Sequence, residues 1–395
     1  MRVAVLTHFY PPEACAAATR VQSLADALVR SGNDVTVITN FPSFPQGRLH
    51  RKDRFKLFER GSEGNCTTVR LFSILARIPG GRLLHWLSAS LAATAHLVFT
   101  IRRYDVIIAS MPPITLAMPA MAGAWRHRAK LVVDVRDVFP DIAIAMGEWR
   151  REGFLARTAE FVVRRLYRRA DLVVAVTPTA ISQIAARGID RSKLMLARNA
   201  AEDVPVFNRP PRNGNPFTAI YAGNLGVATD VDVLLSAAAH LKDDGVRLEI
   251  VGDGAQAQSA RERAEREAIT NVVFRGVLPR AQALERIAAA QVALVPLRAG
   301  IEESVPTKMY DAFSVGCPVI VAASGEAAKE GAALGATCTQ PGDAQSLAEA
   351  IHRLAAMNER ELTQLGERGR AAVQARSGRS AIMSELCARI SSLCC

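Results

Sequence analysis

The chain is 395 residues long and none of its seven cysteines forms a C-x-x-C pair; the count is also odd. A zinc site and a disulfide framework are therefore not expected, and a reduced, cytoplasmic protein is the natural reading. Cys394-Cys395 lacks a C-a-a-X pattern and reads as an unremarkable tail. Met1-Arg2 leads straight into Val3–Leu6 with no cleavage-site pattern, so no signal peptide is expected. Aromatic residues are only 6% of the chain, and the run of them that a single-strand binder needs is missing. Gly252-Asp253-Gly254 is not a G-x-G-x-x-G fingerprint, which removes any claim on NAD.

What is present describes an ordinary globular protein, 49% apolar and 22% charged, long enough for two domains. The net charge is +11. Residues 1–205 hold 29 Lys/Arg against 17 Asp/Glu, and residues 206–395 hold 20 against 21. The excess thus sits in the first half and implies an anionic partner. No nucleic-acid motif accompanies it, so an anionic membrane surface is preferred to nucleic acid, with solubilising charge as the alternative.

In the first half, Val3–Thr7, a helix capped at Thr19 with Gln22 three residues on, and Val35–Thr39 form a βαβ unit. Phe41–Gly47 is a turn-rich loop, and a basic segment runs from Arg48 to Arg60. Val69–Ile74 reads as a strand. Leu83–Ile101 is a 19-residue run without formal charge, flanked by Arg77, Arg82, Arg102 and Arg103. It approaches the length of a membrane span, but its place between strands favours a covering helix, buried or dipping into a membrane interface. Asp105–Ser110 and Leu131–Val135 are further strands. The second runs into Arg136-Asp137, at the carboxyl end of a buried strand, where open α/β sheets bind ligands. The alternative there is a structural Arg–Asp pair. Tyr167–Thr177 supplies the last helix and strand of this half.

Residues 198–215, rich in proline, read as a linker. Thr218–Ala222 restarts the α/β pattern, followed by the turn Gly223-Asn224-Leu225-Gly226 and a helix through His240. Leu248–Gly252, Asn271–Leu278, Val292–Pro296 and Pro318–Ala322 are strands, and Ala344–Met357 and Glu359–Arg376 are helices. Between Pro296 and Pro318 lies a helix with Ser304 as N-cap, Pro306 in its first turn, and Gly316 with Pro318 at its end. Its free backbone N–H groups suit a diphosphate. Glu303 and Asp311 can accept hydrogen bonds from sugar or ribose hydroxyls. The plainer reading makes Lys308 and Asp311 a solvated i,i+3 pair.

The run Glu303 to Asp311, followed by G-C-P-V at 316–319, resembles the donor-binding segment of retaining glycosyltransferases of family 4. Pro306-Thr307-Lys308-Met309-Tyr310-Asp311 is similar to the P-S-K-x-Y-E variant of the branch that builds O-antigen, capsule and colanic-acid repeat units. Gly223-Asn224-Leu225-Gly226, Phe9-Tyr10-Pro11-Pro12-Glu13 and the R-D-x-x-P stretch from Arg136 resemble that family too. The resemblance covers nearly the whole chain and implies an α/β fold of two Rossmann-like domains with parallel sheets facing across a cleft (GT-B). The expected division is an acceptor-binding domain at 1–205 and a nucleotide-sugar-binding domain at 206–376, with the 377–395 helix packing back on the first.

It also implies the chemistry: retaining transfer from a nucleoside-diphosphate sugar, UDP-linked and with an N-acetylated amino sugar among the candidates, to a polyprenyl-diphosphate-linked acceptor at the cytoplasmic membrane face. Asp137 would orient or deprotonate the acceptor hydroxyl, Arg136 would hold it or bind the acceptor diphosphate, and Glu303 completes the catalytic set. Donor-binding residues would be Asp311, Lys308, Thr307, Met309, Gly223, Asn224, Gly252, Asp253 and Arg298. Where the family has an Arg and a Lys gripping the leaving diphosphate, this chain has Asn224 and Thr229; Lys308 and Arg298 are the replacements expected. Ala17 and Arg20 stand at the family's phosphate loop, whose glycine pair is here Ala16-Ala17-Ala18. No cofactor is implied, the nucleotide sugar being a substrate. No D-x-D motif sits at a strand end, so no metal is expected for the leaving group. A sugar-nucleotide epimerase on the same scaffold and a non-catalytic assembly subunit remain as alternatives.

Overall fold

The computed structural model describes residues 1–13, 15–43, 49, 53, 56–63, 66–75, 80–199, 201, 204, 207 and 214–394. Much of the expected loop at 41–47, of the basic segment at 48–60 and of the linker at 198–215 lies outside the described residues, as does Arg77. The chain forms two compact units, Met1–Arg198 with Ser380–Cys395, and Asn199–Arg379.

The first unit is built on eight strands: β1 (Arg2–Leu6), β2 (Asp34–Asn40), β3 (Phe58–Glu63), β4 (Cys66–Leu71), β5 (Val106–Met111), β6 (Lys130–Val135), β7 (Leu172–Ala175) and β8 (Leu194–Leu196). They order as β3-β4-β2-β1-β5-β6-β7-β8. All neighbours are parallel except the β3–β4 hairpin at one edge. The helices are α1 (Ala16–Arg30), α2 (Gly81–Phe99), α3 (Ala117–His127), α4 (Asp141–Ala145), α5 (Phe154–Arg169) and α6 (Pro178–Ala186). β1, β5 and β6 are almost wholly buried, as their unbroken Val/Ile/Leu/Ala runs require of a parallel sheet covered on both faces. The chain reverses direction across the sheet between β1 and β5, which makes their carboxyl ends the switch point.

Several local expectations need correction. Helix α1 starts at Ala16 with Cys15 as N-cap, not at Thr19, whose hydroxyl instead bonds back to the Cys15 carbonyl at 3.2 Å. A hydroxyl three residues before a Gln is a capping box only if the backbone ahead of it is extended, and here it is already helical. The expected strand at 69–74 is β4, shifted toward the N-terminus and paired with β3, which the sequence reading lacked. β7 is not the last strand of the unit, because α6 and β8 follow it.

The uncharged run forms α2, and it is not a fully buried crossover. His85, Ala89, Ala93 and Leu97 face inward. The opposite face exposes Leu84, Leu87 and Leu91, the last to 59%, with Leu83 beside them. No helix among the described residues is long and apolar enough to cross a membrane. Helix α14 (Arg379–Ser391) contributes Met383, Leu386, Cys387 and Ile390 to the apolar cluster that holds Val3, Val5, Leu24 and Leu28 of β1 and α1.

The second unit repeats the pattern with six strands: β9 (Phe217–Ala222), β10 (Val246–Val251), β11 (Val272–Gly276), β12 (Val292–Pro296), β13 (Val319–Ala322) and β14 (Thr337–Thr339). The order β11-β10-β9-β12-β13-β14 is parallel throughout. Its helices are α7 (Val231–His240), α8 (Ala257–Arg266), α9 (Arg280–Ala289), α10 (Thr307–Ser314), α11 (Gly325–Ala333), α12 (Ala344–Ala355) and α13 (Glu359–Ser377). Here the switch point lies between β9 and β12. The two units are Rossmann-like parallel α/β domains, the fold class expected.

Candidate active site

In the second unit the switch point is made by backbone. Gly223 follows β9 and Gly252 follows β10, with φ of +156° and +133°. A Cβ on Gly252 would stand 1.9 Å from the Gly223 carbonyl oxygen, so these two turns touch main chain to main chain. Only glycine meets both demands. The Leu225 amide then bonds to the Asp253 carbonyl at 2.9 Å. Asp253 is exposed, and its carboxylate accepts from the Gly254 amide at 2.8 Å. Asn224 is exposed too, and its carbonyl accepts from Tyr221 Oη at 2.7 Å and Thr229 Oγ1 at 3.0 Å.

The loop after β12 returns to this place through α10. Pro306 is the N-cap of α10, two residues later than the expected Ser304. Its extended ψ of 133° and missing N–H end the loop there. The loop is pinned by the Glu326 amide on the Glu302 carbonyl (2.7 Å) and by Ser324 Oγ on Glu302 Oε1 (2.6 Å). Asn199 adds a bond to the Val305 carbonyl at 3.2 Å. Glu303, next in line, is half-buried with its Oε1 shielded from solvent.

Lys308, in the first turn of α10, does not pair with Asp311. Its stem lies over Gly223, where a Cβ would come within 2.9 Å of Cε. Its Nζ donates to Tyr221 Oη at 2.6 Å and sits 4.3 Å from the centre of that ring. Burial with no carboxylate in reach brings its pKa down to about 7. Asp311 is held by Arg280, at the start of α9, through bonds of 2.9 and 3.5 Å. Thr307 is half-buried, whereas the Met309 side chain is fully buried in the core and its amide donates to the Pro306 carbonyl at 3.1 Å. Arg298 is exposed and bonds to Gln256 Oε1 at 2.9 Å.

In the first unit, Arg136 and Asp137 follow β6 and are both half-buried. Arg136 donates from Nη2 to the Pro112 carbonyl (2.8 Å) and from Nε to the Met111 carbonyl (3.2 Å), which ties the ends of β5 and β6 together. Burial pushes the Asp137 carboxyl above its usual range, with Arg136 opposing. Beside them, after β1, His8 is buried and its Nδ1 takes the Asn40 amide at 2.8 Å. Its ring stands edge-on to His85 at 4.7 Å. Burial, then His85 and Arg136, pull its pKa down to about 3, so it is neutral at physiological pH. Ala17 is buried in the first turn of α1. Arg20 is not a surface arginine: it is 7% exposed, and its guanidinium grips Asp134 at 2.7 and 3.0 Å and the Ala197 and Arg198 carbonyls at 3.1 Å.

Tyr221, Arg280, His8 and the Arg20–Asp134 pair were not singled out for these contacts from sequence. Tyr221 and Asp134 lie inside strands that read as uniform apolar runs, and each partner comes from a distant element, so no spacing rule points to it.

Paired glycine turns and a half-buried lysine thus stand together at the switch point of a parallel sheet, the place where open α/β proteins bind their ligands. The Glycosyl transferase 4-like domain family matches residues 16–200, and the Glycosyl transferases group 1 family matches residues 216–357. The chain belongs to this glycosyltransferase family, joining one domain of each kind. It is 26% identical over 230 residues to the probable glycosyltransferase WbjE of Pseudomonas aeruginosa, spanning 55% of this chain and 57% of that protein. It is 22% identical over 340 residues to the putative colanic acid biosynthesis glycosyl transferase WcaI of Escherichia coli, spanning 82% and 83%. A GDP-mannose-dependent alpha-mannosyltransferase of Mycolicibacterium smegmatis is 25% identical over 337 residues, covering 82% and 80%. Among solved structures, sucrose-phosphate synthase from Thermosynechococcus elongatus aligns with a TM-score of 0.77 at 19% identity, covering 100% and 99% of the two chains. Anabaena HepE in complex with UDP and glucose aligns at 0.70 and 17%, covering 99% and 100%.

Proposed function

We propose that this glycosyltransferase carries out retaining transfer of a sugar, possible donors including an N-acetylated amino sugar on UDP, to a polyprenyl-diphosphate-linked acceptor in bacterial surface polysaccharide synthesis. The observation that carries the reading is the Gly223–Gly252 crevice with Lys308 beside it: close backbone approach and a lysine that makes no ion pair among the described residues. A nucleoside diphosphate supplies what such a place lacks. Glu303 would accept from the transferred sugar's hydroxyls, Asp311 from the ribose, and Asn224, Asp253 and Thr307 would complete the donor contacts, with Met309 supporting them from the core. Arg298, at the rim, is the outer contact. In the first unit Asp137 would orient the acceptor hydroxyl and Arg136 would fix that stretch. Charge fixed in advance around the departing diphosphate would be the largest catalytic contribution.

The polysaccharide context draws on the relative named for colanic acid biosynthesis. UDP as donor draws on the HepE complex, and the GDP-mannose relative makes GDP the competing base. Peripheral attachment at the cytoplasmic membrane face is supported by the exposed leucines of α2, flanked by Arg82, Arg102 and Arg103 in the more basic half. Apolar side chains rimmed by arginine suit an anionic lipid surface. We assign the first unit, Met1–Arg198 with Ser380–Cys395, to the acceptor and the second, Asn199–Arg379, to the donor.

The test is mass spectrometry of the purified protein with a panel of UDP- and GDP-sugars and a polyprenyl-diphosphate saccharide. A labelled lipid whose formation is lost in Glu303→Gln and Asp137→Asn is the expected result. A water-soluble epimer would replace this reading by isomerisation, and no turnover of any donor would replace it by a non-catalytic role. Sedimentation with anionic vesicles, lost in a Leu84/Leu87/Leu91→Ser variant, tests the membrane surface.

A further inference from the structure

We infer that Tyr221 and Lys308 form a loading couple for the donor: the phenol holds the lysine at the end of β9, and the diphosphate takes it over together with a proton from solvent. This rests on the donor reading above and adds a positioning residue and a proton linkage to it.

The hydrogen bonds at Tyr221 leave little freedom. A phenol has one proton to give and two lone pairs to accept with. Tyr221 Oη lies 2.7 Å from the Asn224 carbonyl, 3.0 Å from Thr229 Oγ1 and 2.6 Å from Lys308 Nζ. The carbonyl can only accept, so the phenol proton goes there and Lys308 must be a donor to Tyr221. Thr229, at the place of the family's lysine, is 4% exposed and fastened to the same hub. The turn after β9 thus has no cation of its own, and the one beside it arrives from α10. It lies in the space left by the missing side chain of residue 223, where a Cβ would stand 3.1 Å from Nζ.

The charged groups on neighbouring elements, Glu303 apart, are engaged elsewhere. On α10, Asp311 is held by Arg280 of α9. After β10, the Asp253 carboxylate takes its own turn's amide. After β12, Arg298 bonds to Gln256, and Glu303 lies in the loop before α10. Lys308 makes no ion pair among the described residues, and burial alone brings its pKa to about 7. A diphosphate in contact would raise that value, because opposite charge favours the ammonium. Above pH 7 the site therefore binds the donor and a proton together. A terminal phosphate, with its second pKa at about 6, is already ionised there and takes up none itself.

The experiment is isothermal titration of the full chain with UDP, and with GDP in parallel, at pH 7.0 and 8.5. Each is run in two buffers of different ionisation enthalpy, which gives the protons exchanged. The wild type should take up close to one proton per nucleotide at pH 8.5, and bind roughly tenfold more weakly than at pH 7.0. Lys308→Met should bind about 10- to 100-fold more weakly at pH 7.0 and take up none. Lys308→Arg, whose guanidinium stays charged, should bind with no uptake at either pH. Tyr221→Phe removes an acceptor that favours the ammonium, so the midpoint of the pH dependence should move down. Wild-type binding without proton uptake, or uptake that survives in Lys308→Met, overturns this inference and leaves the donor reading standing. Failure of the wild type to bind either nucleotide overturns both.

Discussion

Replacing Arg20 by Met should destabilise the first unit by about 3–5 kcal/mol, the usual cost of leaving one half of a buried pair without the other. Asp134 is 1% exposed, and once Arg20 is gone its side-chain hydrogen-bond partner among the described residues is Ser110 Oγ at 3.4 Å, with Arg136 acting on it through charge alone. The Ala197 and Arg198 carbonyls lose a donor as well, each worth about 1 kcal/mol. A substitution that merely trimmed a phosphate-binding surface arginine would cost a few tenths of a kcal/mol, so stability separates the two roles. In Arg20→Met/Asp134→Leu the buried charge is gone, and most of the loss should be recovered, with a coupling energy of at least about 2 kcal/mol.

Urea unfolding followed by tryptophan fluorescence is the assay, since Trp86, Trp125 and Trp149 all lie in the first unit and the second has none. A loss below about 1 kcal/mol for Arg20→Met, or a double variant no better than the single one, would refute the assignment of Arg20 as a buried pin.

Three further outcomes follow from particular contacts. Gly252→Ala forces a Cβ against the Gly223 carbonyl at a φ of +133°, and should cost about 2–4 kcal/mol and abolish nucleotide binding, read by circular dichroism melts and titration with UDP. Arg280→Met frees Asp311 from a pair whose arginine side chain is 44% exposed, so stability should change by less than about 1 kcal/mol; a larger loss in urea unfolding would mean that α9 and α10 depend on it. His8 has a folded pKa of about 3, below the unfolded 6.5, so the stability tied to its neutral form is present above pH 6.5 and is lost as pH falls toward 3. His8→Gln should remove about 2 kcal/mol of the difference between pH 6.5 and pH 5.0 in tryptophan-monitored unfolding.

The sequence is most readable where one element suffices to state a rule. β12 appears over the expected Val292–Pro296, because a short apolar run bounded by Gln291 and Arg298 has few other ways to bury itself. Strands and helices that alternate twice are enough to imply two parallel sheets, and the glycines at 223 and 252 stand where strands end. What escapes is pairing across elements. Lys308 and Asp311 are three residues apart on one helix, which suggests a partnership, yet each finds a different partner: Tyr221 from β9 and Arg280 from α9. The i,i+3 rule describes an isolated helix, where the competing partner is water. In a sheet-backed domain the alternative is a phenol at 2.6 Å, ordered by the core, and a guanidinium at 2.9 Å carried on the neighbouring helix.

Arg20 illustrates the same limit from the other side. Its position after three alanines invites a role at a loop, whereas Asp134, 114 residues away inside β6, decides where its charge goes. A carboxylate within a strand of valines is the one local sign that a cation must come to it, since burying it alone would cost several kcal/mol. Applied to Asp134, that reasoning demands a buried Arg or Lys from an element packed on the sheet. α1 carries two arginines; Arg20 is on its buried side with Val21, Leu24 and Leu28, while Arg30 ends the helix. The pairing was thus available from charge and periodicity together, though from neither by itself.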